Sequence, residues 1–580
     1  MNARWYLSLA IAMLLIAGVW LAYRGKPRLI TRRENQNETA PGVFRFVDVA
    51  RQAGVDFTYF RGETGEYWLT ETTGGGVGLI DFDGDGWLDI YFVNGCRQPR
   101  DPADFTHTSR LVRNLGNGQF ADVTGPTGVG HNGYGQGCTV GDFDNDGFDD
   151  LYVTCFGSNV LYHNQGDGTF REVTGDANAD CPLWSTGSAF GDFDRDGDLD
   201  LFVANYVDFD PKTAPRCGDP HTGQRGYCGP SSFGPLPDFL FANLGDGSFT
   251  DVNHTAGINM PDGTPRPESK GLGVQVFDFD DDGWLDIFVA NDKTPSFLFH
   301  NLGGLSFREV GMTQGVALTG DGSATATMGI ACGDYDRDGR TDLLTTNFYL
   351  EGATLFHNLG ERGFRDETAS AGLSAATRAV LGWGTAFGDF DNDGWLDLFA
   401  ANGHVHHDRS GLEPYAMPAQ LFRNSGHGTF TDLSRQAGPY FQTSWNGRGA
   451  AFGDIDNDGD TDIVVVHHHQ AAAILRNDSP ATAAFLSLRL IGVRSDRNAL
   501  GTRVAFSIKD SVDEGPRRDF VRHVNVSGSY LSSNDPRVIL GKATGSSLRQ
   551  IEFRWNSGLT IHRPEQAAGV QNSVREPTGN

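Results

Sequence analysis

The sequence predicts an all-β protein: a seven-bladed, calcium-binding β-propeller followed by a small C-terminal β-sandwich, with an N-terminal transmembrane helix. Three observations predict it. First, residues 389–397, DFDNDGWLD, set aspartates at positions 1, 3, 5 and 9 around a glycine at position 6, and the pattern starts again at Asp81, Asp142, Asp192, Asp278, Asp334 and Asp454. Second, each copy sits in a repeating unit that reads as four short strands: a segment like FTDLSRQAG, a glycine-rich strand before the acidic loop, an apolar strand such as WLDLFAAN after it, and LFRNSGHGTF, whose Asn and tight glycine turn read as a hairpin. Third, one apolar run without a charge, residues 5–23, opens the chain.

At helical rise that run covers about 28 Å, close to a bilayer core. It ends in Trp20-Leu21-Ala22-Tyr23 rather than in small residues, so residues 1–23 read as an uncleaved signal anchor in preference to a cleaved signal peptide. Arg24, Lys26, Arg28, Arg32 and Arg33 follow the span and only Arg4 precedes it, which by charge alone would hold the following domain in the cytoplasm. Weak calcium sites fill only where Ca²⁺ is millimolar. That requirement decides for a domain outside the cytoplasm, either membrane-anchored (periplasmic or cell surface) or secreted. Residues 24–43 are polar and basic and read as a flexible linker.

Residues 44–480 carry the repeats. The seventh unit stops at Asn477 without its hairpin partner, while FVDVARQAG, starting at Phe46, precedes the first acidic loop. Residues 44–50 are therefore expected to complete the last blade and remove an exposed edge. Five residues before each loop stands a glycine (Gly76, Gly137, Gly187, Gly273, Gly329, Gly384, Gly449), as expected for inner strands converging on an axis. Long insertions occupy 89–114, 200–243 and 397–424, between the closing Asp and the hairpin Asn. Because consecutive strands alternate in direction, these insertions enlarge the face opposite the acidic loops, and any ligand site is expected there. Residues 481–575, where VAFSI, RHVNV and IEFRW alternate apolar and polar positions, read as the small antiparallel β-sandwich.

Ca²⁺ requires several hard oxygen donors on a short arc, and carboxylates at positions 1, 3, 5 and 9 with a carbonyl at position 7 supply them around the turn-permitting glycine. The expected ligands are Asp81, Asp83, Asp85 and Asp89; Asp142, Asp144, Asp146 and Asp150; Asp192, Asp194, Asp196 and Asp200; Asp278, Asp280, Asp282 and Asp286; Asp334, Asp336, Asp338 and Asp342; Asp389, Asp391, Asp393 and Asp397; and Asp454, Asp456, Asp458 and Asp462. Mg²⁺ fits less well because it holds a strict octahedron and keeps its waters. Up to seven Ca²⁺ ions, mainly structural, would supply about +14 against the formal charge of -28. The acidity therefore reads as metal sites, and nucleic acid, which needs a basic surface, is excluded as a partner.

Cys217 and Cys228 flank an aperiodic stretch of the second insertion and are expected to form a disulfide; the pairing of Cys96, Cys138, Cys155, Cys181 and Cys332 stays open. His404, His406 and His407 open the third insertion, and His467, His468 and His469 follow the second strand of the last unit. Imidazoles so placed suit Zn²⁺, Cu²⁺ or Fe, or general-base chemistry; the alternative is a polar rim. Trp184, Lys270, Trp383 and Arg448 stand just before inner strands, where they either line a central pocket or pack. With no GxSxG, P-loop or dinucleotide fingerprint, no catalytic residue is assigned.

The acidic loop with its Phe-Asp-Val and Asn-Gly segments resembles FG-GAP/VCBS repeats, the integrin-α-like calcium propellers, over about residues 44–480. Beyond it NALGTRV from Asn498, SGSYLS from Ser527 and IEFRWNSG from Ile551 look like an ASPIC/UnbV domain, whose usual Trp-Pro-Ser-Gly is Trp555-Asn556-Ser557-Gly558 here. Together the modules resemble the cartilage acidic protein family, including its bacterial members. The resemblance implies secretion, calcium and a binding role, and no catalytic residue. The leading expectation is an extracytoplasmic scaffold for an extracellular protein or glycan, with the membrane reached through the N-terminal helix. The competing class is an enzyme, a polysaccharide lyase or a metal-dependent hydrolase or oxidoreductase, using the histidine-bearing face.

Overall fold

The computed structural model describes residues 43–219, 223–406, 413–480, 484–509, 518–542, 547–564 and 571–578. The apolar run at 5–23, nearly all of the linker and His407 lie outside the described residues, among which no helix is long and apolar enough to cross a membrane.

Each repeat folds into a four-stranded antiparallel sheet whose strands follow sequence order. The sheets are numbered 1 to 7 by their first strands: Val77–Ile80, Tyr134–Gly141, Ser185–Gly191, Gly271–Phe277, Thr327–Gly333, Gly382–Gly388 and Gly447–Gly453. The acidic loop joins first strand to second, the second strand begins at the closing Asp, and the third ends at the hairpin Asn. Sheet 7 takes its fourth strand from the front of the repeats: Phe46–Asp48 pairs antiparallel with Ala473–Asn477, Phe46 opposite Asn477. Without that strand the third strand of sheet 7 would be left as an open edge.

First strands lie against first strands of the neighbouring sheets, and that of sheet 7 against that of sheet 1. The approach is close enough to exclude a side chain: a Cβ on Gly329 would lie 2.0 Å from the carbonyl oxygen of Trp383, and one on Gly449 2.4 Å from that of Gly75. Apolar side chains of adjacent sheets close the space between them, as where Leu79, Ile90 and Phe92 of sheet 1 pack with Val464, Val466 and Ile474 of sheet 7.

The hairpin asparagines do more than turn the chain. The side-chain amide of each donates to the carbonyl at loop position 2 of the preceding sheet, at 2.8 to 2.9 Å; the series runs Asn164 to Phe82, Asn243 to Phe143, Asn301 to Phe193, Asn358 to Phe279, Asn424 to Tyr335, Asn477 to Phe390 and Asn114 to Ile455. Asn114 of sheet 1 thus returns to sheet 7.

The C-terminal residues form a sheet of three strands, Val538–Lys542, Ala484–Ile491 and Gln571–Arg575, and one of four, Arg518–His523, Arg503–Lys509, Ser547–Arg554 and Thr560–Pro564. All-antiparallel pairing was expected, but Ala484–Ile491 and Gln571–Arg575 run parallel, because the chain passes through the other sheet before returning. Leu488, Val504, Phe506, Ile551, Phe553 and Trp555 share one core, which continues onto Phe143 and Leu199 in the acidic loops of sheets 2 and 3. The module therefore packs on the acidic end of the sheets.

Candidate functional site: the acidic loops and the axis

In every loop the backbone is tied to its own carboxylates. The position-1 aspartate accepts the N–H of the position-6 glycine at 2.8 to 3.2 Å. The closing aspartate takes the N–H of the hairpin Asn on one oxygen and that of position 2 on the other; for Asp89 the distances are 2.7 Å to Asn114 and 3.3 Å to Phe82. Closing residues are buried, and burial pushes Asp89 up to about 8. Burial, joined by the neighbouring loop carboxylates, pushes Asp142, Asp192, Asp278, Asp389 and Asp454 up to about 7. Among the described residues Asp278 Oδ1, Asp389 Oδ1 and Asp456 Oδ1 are buried without a hydrogen-bond partner. Clustered carboxylates with orphaned buried oxygens are a donor set suited to a hard divalent cation, so the residues fit Ca²⁺.

A contributor that the spacing did not reveal is the residue before the hairpin Asn. Arg113 reaches Asp83 at 2.6 Å and Asp85 at 2.9 Å, and Arg423 reaches Asp391 and Asp393 at 2.8 Å each. His163, His300 and His357 stand in the same place over positions 3 and 5 of their loops, whereas sheet 3 has Ala242 there.

The C-terminal module touches all seven loops. Arg489 meets Asp81 at 3.1 Å and Arg554 meets Asp278 at 3.0 Å; the N–H groups of Val521 and Gly541 donate to Asp334 (3.1 Å) and Asp389 (3.0 Å). Asn498 accepts the Asp142 N–H at 2.7 Å, Asn556 donates to the Asp192 carbonyl at 2.8 Å, and Arg537 donates to the Asp454 carbonyl. From this end residues 525–535 run down the axis between the first strands. Ser529 exchanges two backbone hydrogen bonds with Ile330 (2.7 and 2.9 Å), Gly528 donates to Val274 (3.0 Å), and Ser533 bonds Val77 and Leu79 (2.9 and 3.0 Å). At the tip Tyr530, fully buried, packs edge-on against Trp383.

That plug fills the space between the first strands. Trp383 and Arg448 pack around Tyr530, the Arg448 guanidinium 4.1 Å from the Trp383 ring centre. Trp184 is buried against Tyr206 and Phe209, and Lys270 donates to the Pro230 carbonyl at 2.9 Å. The histidine groups divide. His467 and His468 are fully buried: His467 sits between Tyr440 Oη (2.9 Å) and the Ala471 carbonyl (2.6 Å), and His468 stacks on Tyr59. His469 pairs with Glu63 at 3.3 Å, while His404 and His406 gather around Glu413, a residue that sequence reasoning missed. Cys217 and Cys228 form the expected disulfide in the sheet 3 insertion, where a short ladder, Cys217–Asp219 with Gln224–Gly226, accompanies it. Cys155 lies 3.3 Å from His131, but burial pushes the thiol far up and the imidazole down to about 4, the reverse of an activated nucleophile.

Seven acidic loops on four-stranded sheets, capped by one β module, define a repeat protein whose clustered carboxylates could hold metal ions. The chain belongs to the FG-GAP-like repeat family: the repeat profile matches residues 81–153, 142–203, 278–345, 334–400 and 410–465, and the ASPIC and UnbV profile matches 492–579. Within it the chain is similar to cartilage acidic protein 1. It is 28% identical to the Homo sapiens protein over 338 residues, 56% of this chain and 46% of that protein, and 27% identical to the Mus musculus protein over 321 residues, 53% and 45% of the two. The matched part spans about half the length of these relatives. Among solved structures, an Agrocybe aegerita lectin that recognises non-reducing terminal N-acetylglucosamine aligns over 62% of this chain and 79% of its own at TM-score 0.34 and 17% identity. YCF48 bound to D1 peptide aligns over 70% and 95% at TM-score 0.37 and 11% identity.

Proposed function

We propose that the seven sheets are the blades of a closed β-propeller, that each acidic loop holds one Ca²⁺, and that the chain is an extracytoplasmic scaffold binding a protein or glycan through the end opposite the loops. The observation that carries this reading is the coverage of all seven acidic loops, and of the axis, by the C-terminal module, which commits that end to contacts within the chain. What is left for a partner is the end built from the insertions at 89–114, 200–243 and 397–424. Bound Ca²⁺ would neutralise the clustered carboxylates, and the aspartates at positions 1, 3, 5 and 9 would hold it. The protein's own contribution is to fix each loop by its Asp-to-glycine bond and to join it to the neighbouring sheet through the hairpin Asn. A partner selected from glycan and extracellular-protein arrays, then mapped by footprinting, tests the assignment. Protection confined to the insertion end is expected; protection centred on residues 484–578 contradicts it.

A further inference from the structure

At the insertion end, sheet 6 brings three donors of metal-ligand type together. His404 follows the second strand, Asp397–Asn402, and Glu413 lies on the chain returning toward the third, Gln420–Asn424. His404 Nε2 lies 3.4 Å and His406 Nε2 4.0 Å from the same oxygen, Glu413 Oε2, and each of the three residues offers a ligand atom within 4.8 Å of the other two. We propose that His404, His406 and Glu413 bind one first-row transition-metal ion, zinc foremost, at a site separate from the acidic loops.

Spacing is the first argument. Donors around a tetrahedral zinc at 2.0 to 2.2 Å lie roughly 3.3 Å apart; the His404–Glu413 pair at 3.4 Å already has that spacing, and His406, at 4.0 Å from Glu413, closes on it by roughly 0.7 Å through its partly exposed side chain. Donor chemistry is the second: two imidazoles and one carboxylate suit Zn²⁺, Cu²⁺ or Ni²⁺, whereas Ca²⁺ takes oxygen donors. Preorganisation is the third. His404 is fully buried, flanked edge-on by Phe348 and Tyr349, and its backbone is fixed by a 2.8 Å bond from its N–H to the Tyr415 carbonyl and a 3.2 Å bond from Arg448 to its own carbonyl. The side chains of His406 and Glu413 keep 41% and 37% of their exposure, so an ion reaches the site from solvent.

A packing histidine looks different. Both ring nitrogens of His467 are taken by neutral partners, Tyr440 and Ala471, which leaves no lone pair for a metal. His404 Nδ1 accepts the His406 N–H at 3.4 Å, so the metal-free ring carries its proton on Nε2. A metal on Nε2 moves that proton to Nδ1 and opens a contact already at the limit of a hydrogen bond.

The test is Zn²⁺ binding to the full chain in excess Ca²⁺, read by a chromophoric chelator competition and by elemental analysis after gel filtration. One equivalent with a Kd below about 1 µM is expected, weakened at least about tenfold in His406→Ala and in Glu413→Gln, both at partly exposed positions, with calcium content unchanged. His163→Ala, at an acidic loop, should leave the zinc affinity as it was. Co²⁺ should give the intense visible absorption of a low-coordinate nitrogen and oxygen site, lost in the same two variants. No stoichiometric zinc, equal affinity in His406→Ala and Glu413→Gln, or zinc lost in His163→Ala would overturn the proposal.

Discussion

Asn424→Ala is the substitution that most directly probes how the sheets are joined. Asn424 is buried, 1% exposed, and its side chain makes three bonds: to the Tyr335 carbonyl of sheet 5 at 2.8 Å, to the Leu396 carbonyl at 2.9 Å, and from the Gly426 N–H at 2.9 Å. Alanine removes all three and leaves two buried carbonyls and one partly buried amide without that partner. An unsatisfied buried group costs about 1–3 kcal/mol, and the losses overlap, so the expected destabilisation is about 3 kcal/mol. The control is Asn117→Ala, an exposed turn residue that accepts the Gln119 N–H at 3.1 Å, with an expected loss below about 1 kcal/mol. A chain of this size need not unfold in one step, so the assay is native-state hydrogen exchange of the sheet 5 and sheet 6 amides. Exchange accelerated roughly a hundredfold at both sheets matches about 3 kcal/mol. Equal rates in Asn424→Ala and Asn117→Ala would refute the inter-sheet role.

Tyr530→Ala empties the tip of the axial plug and should cost about 3–5 kcal/mol locally, read as faster exchange at 525–535 while the fourth strand of each sheet is unchanged; unchanged exchange at 525–535 contradicts the packing. His467 is held neutral, burial lowering it from 6.5 to about 4, so its contribution is full above 6.5 and lost as pH falls through 4. Wild type should therefore lose about 3 kcal/mol more than His467→Gln between those pH values, and parallel stability curves would contradict this. Replacing Cys217 and Cys228 by serine should raise exchange in the sheet 3 insertion and leave all seven sheets protected, because the bond closes a loop of sequence separation 11 wholly within that insertion.

The sheets were legible because each feature that builds them leaves a mark at fixed spacing: the loop aspartates, the glycine where inner strands touch, the Asn before the turn. The strand borrowed from 46–48 was legible as a repeat fragment at the wrong end of the chain. What joins the sheets was not, because the Asn424 side chain that bonds Tyr335 carries the same signature as an ordinary turn asparagine. The capping of the acidic loops was hidden for a similar reason: Val521 and Gly541 bind through backbone N–H groups, which leave no side-chain pattern. One signal was present. Residues 481–580 carry fourteen Lys and Arg against nine Asp and Glu in a chain of formal charge -28, the complement of seven acidic loops. For Trp383 and Arg448 the sequence left pocket lining and packing open, since the tyrosine they pack against arrives from more than eighty residues away in sequence.

The most direct test of the account is the calcium content of the full chain by elemental analysis after gel filtration in calcium-containing buffer. The account predicts about seven equivalents, falling to about six in Asp391→Ala, with zinc, if supplied, counted separately. A content of one or none, or one unchanged by Asp391→Ala, would contradict the claim that the acidic loops are the cation sites on which the sheets and their cap are built.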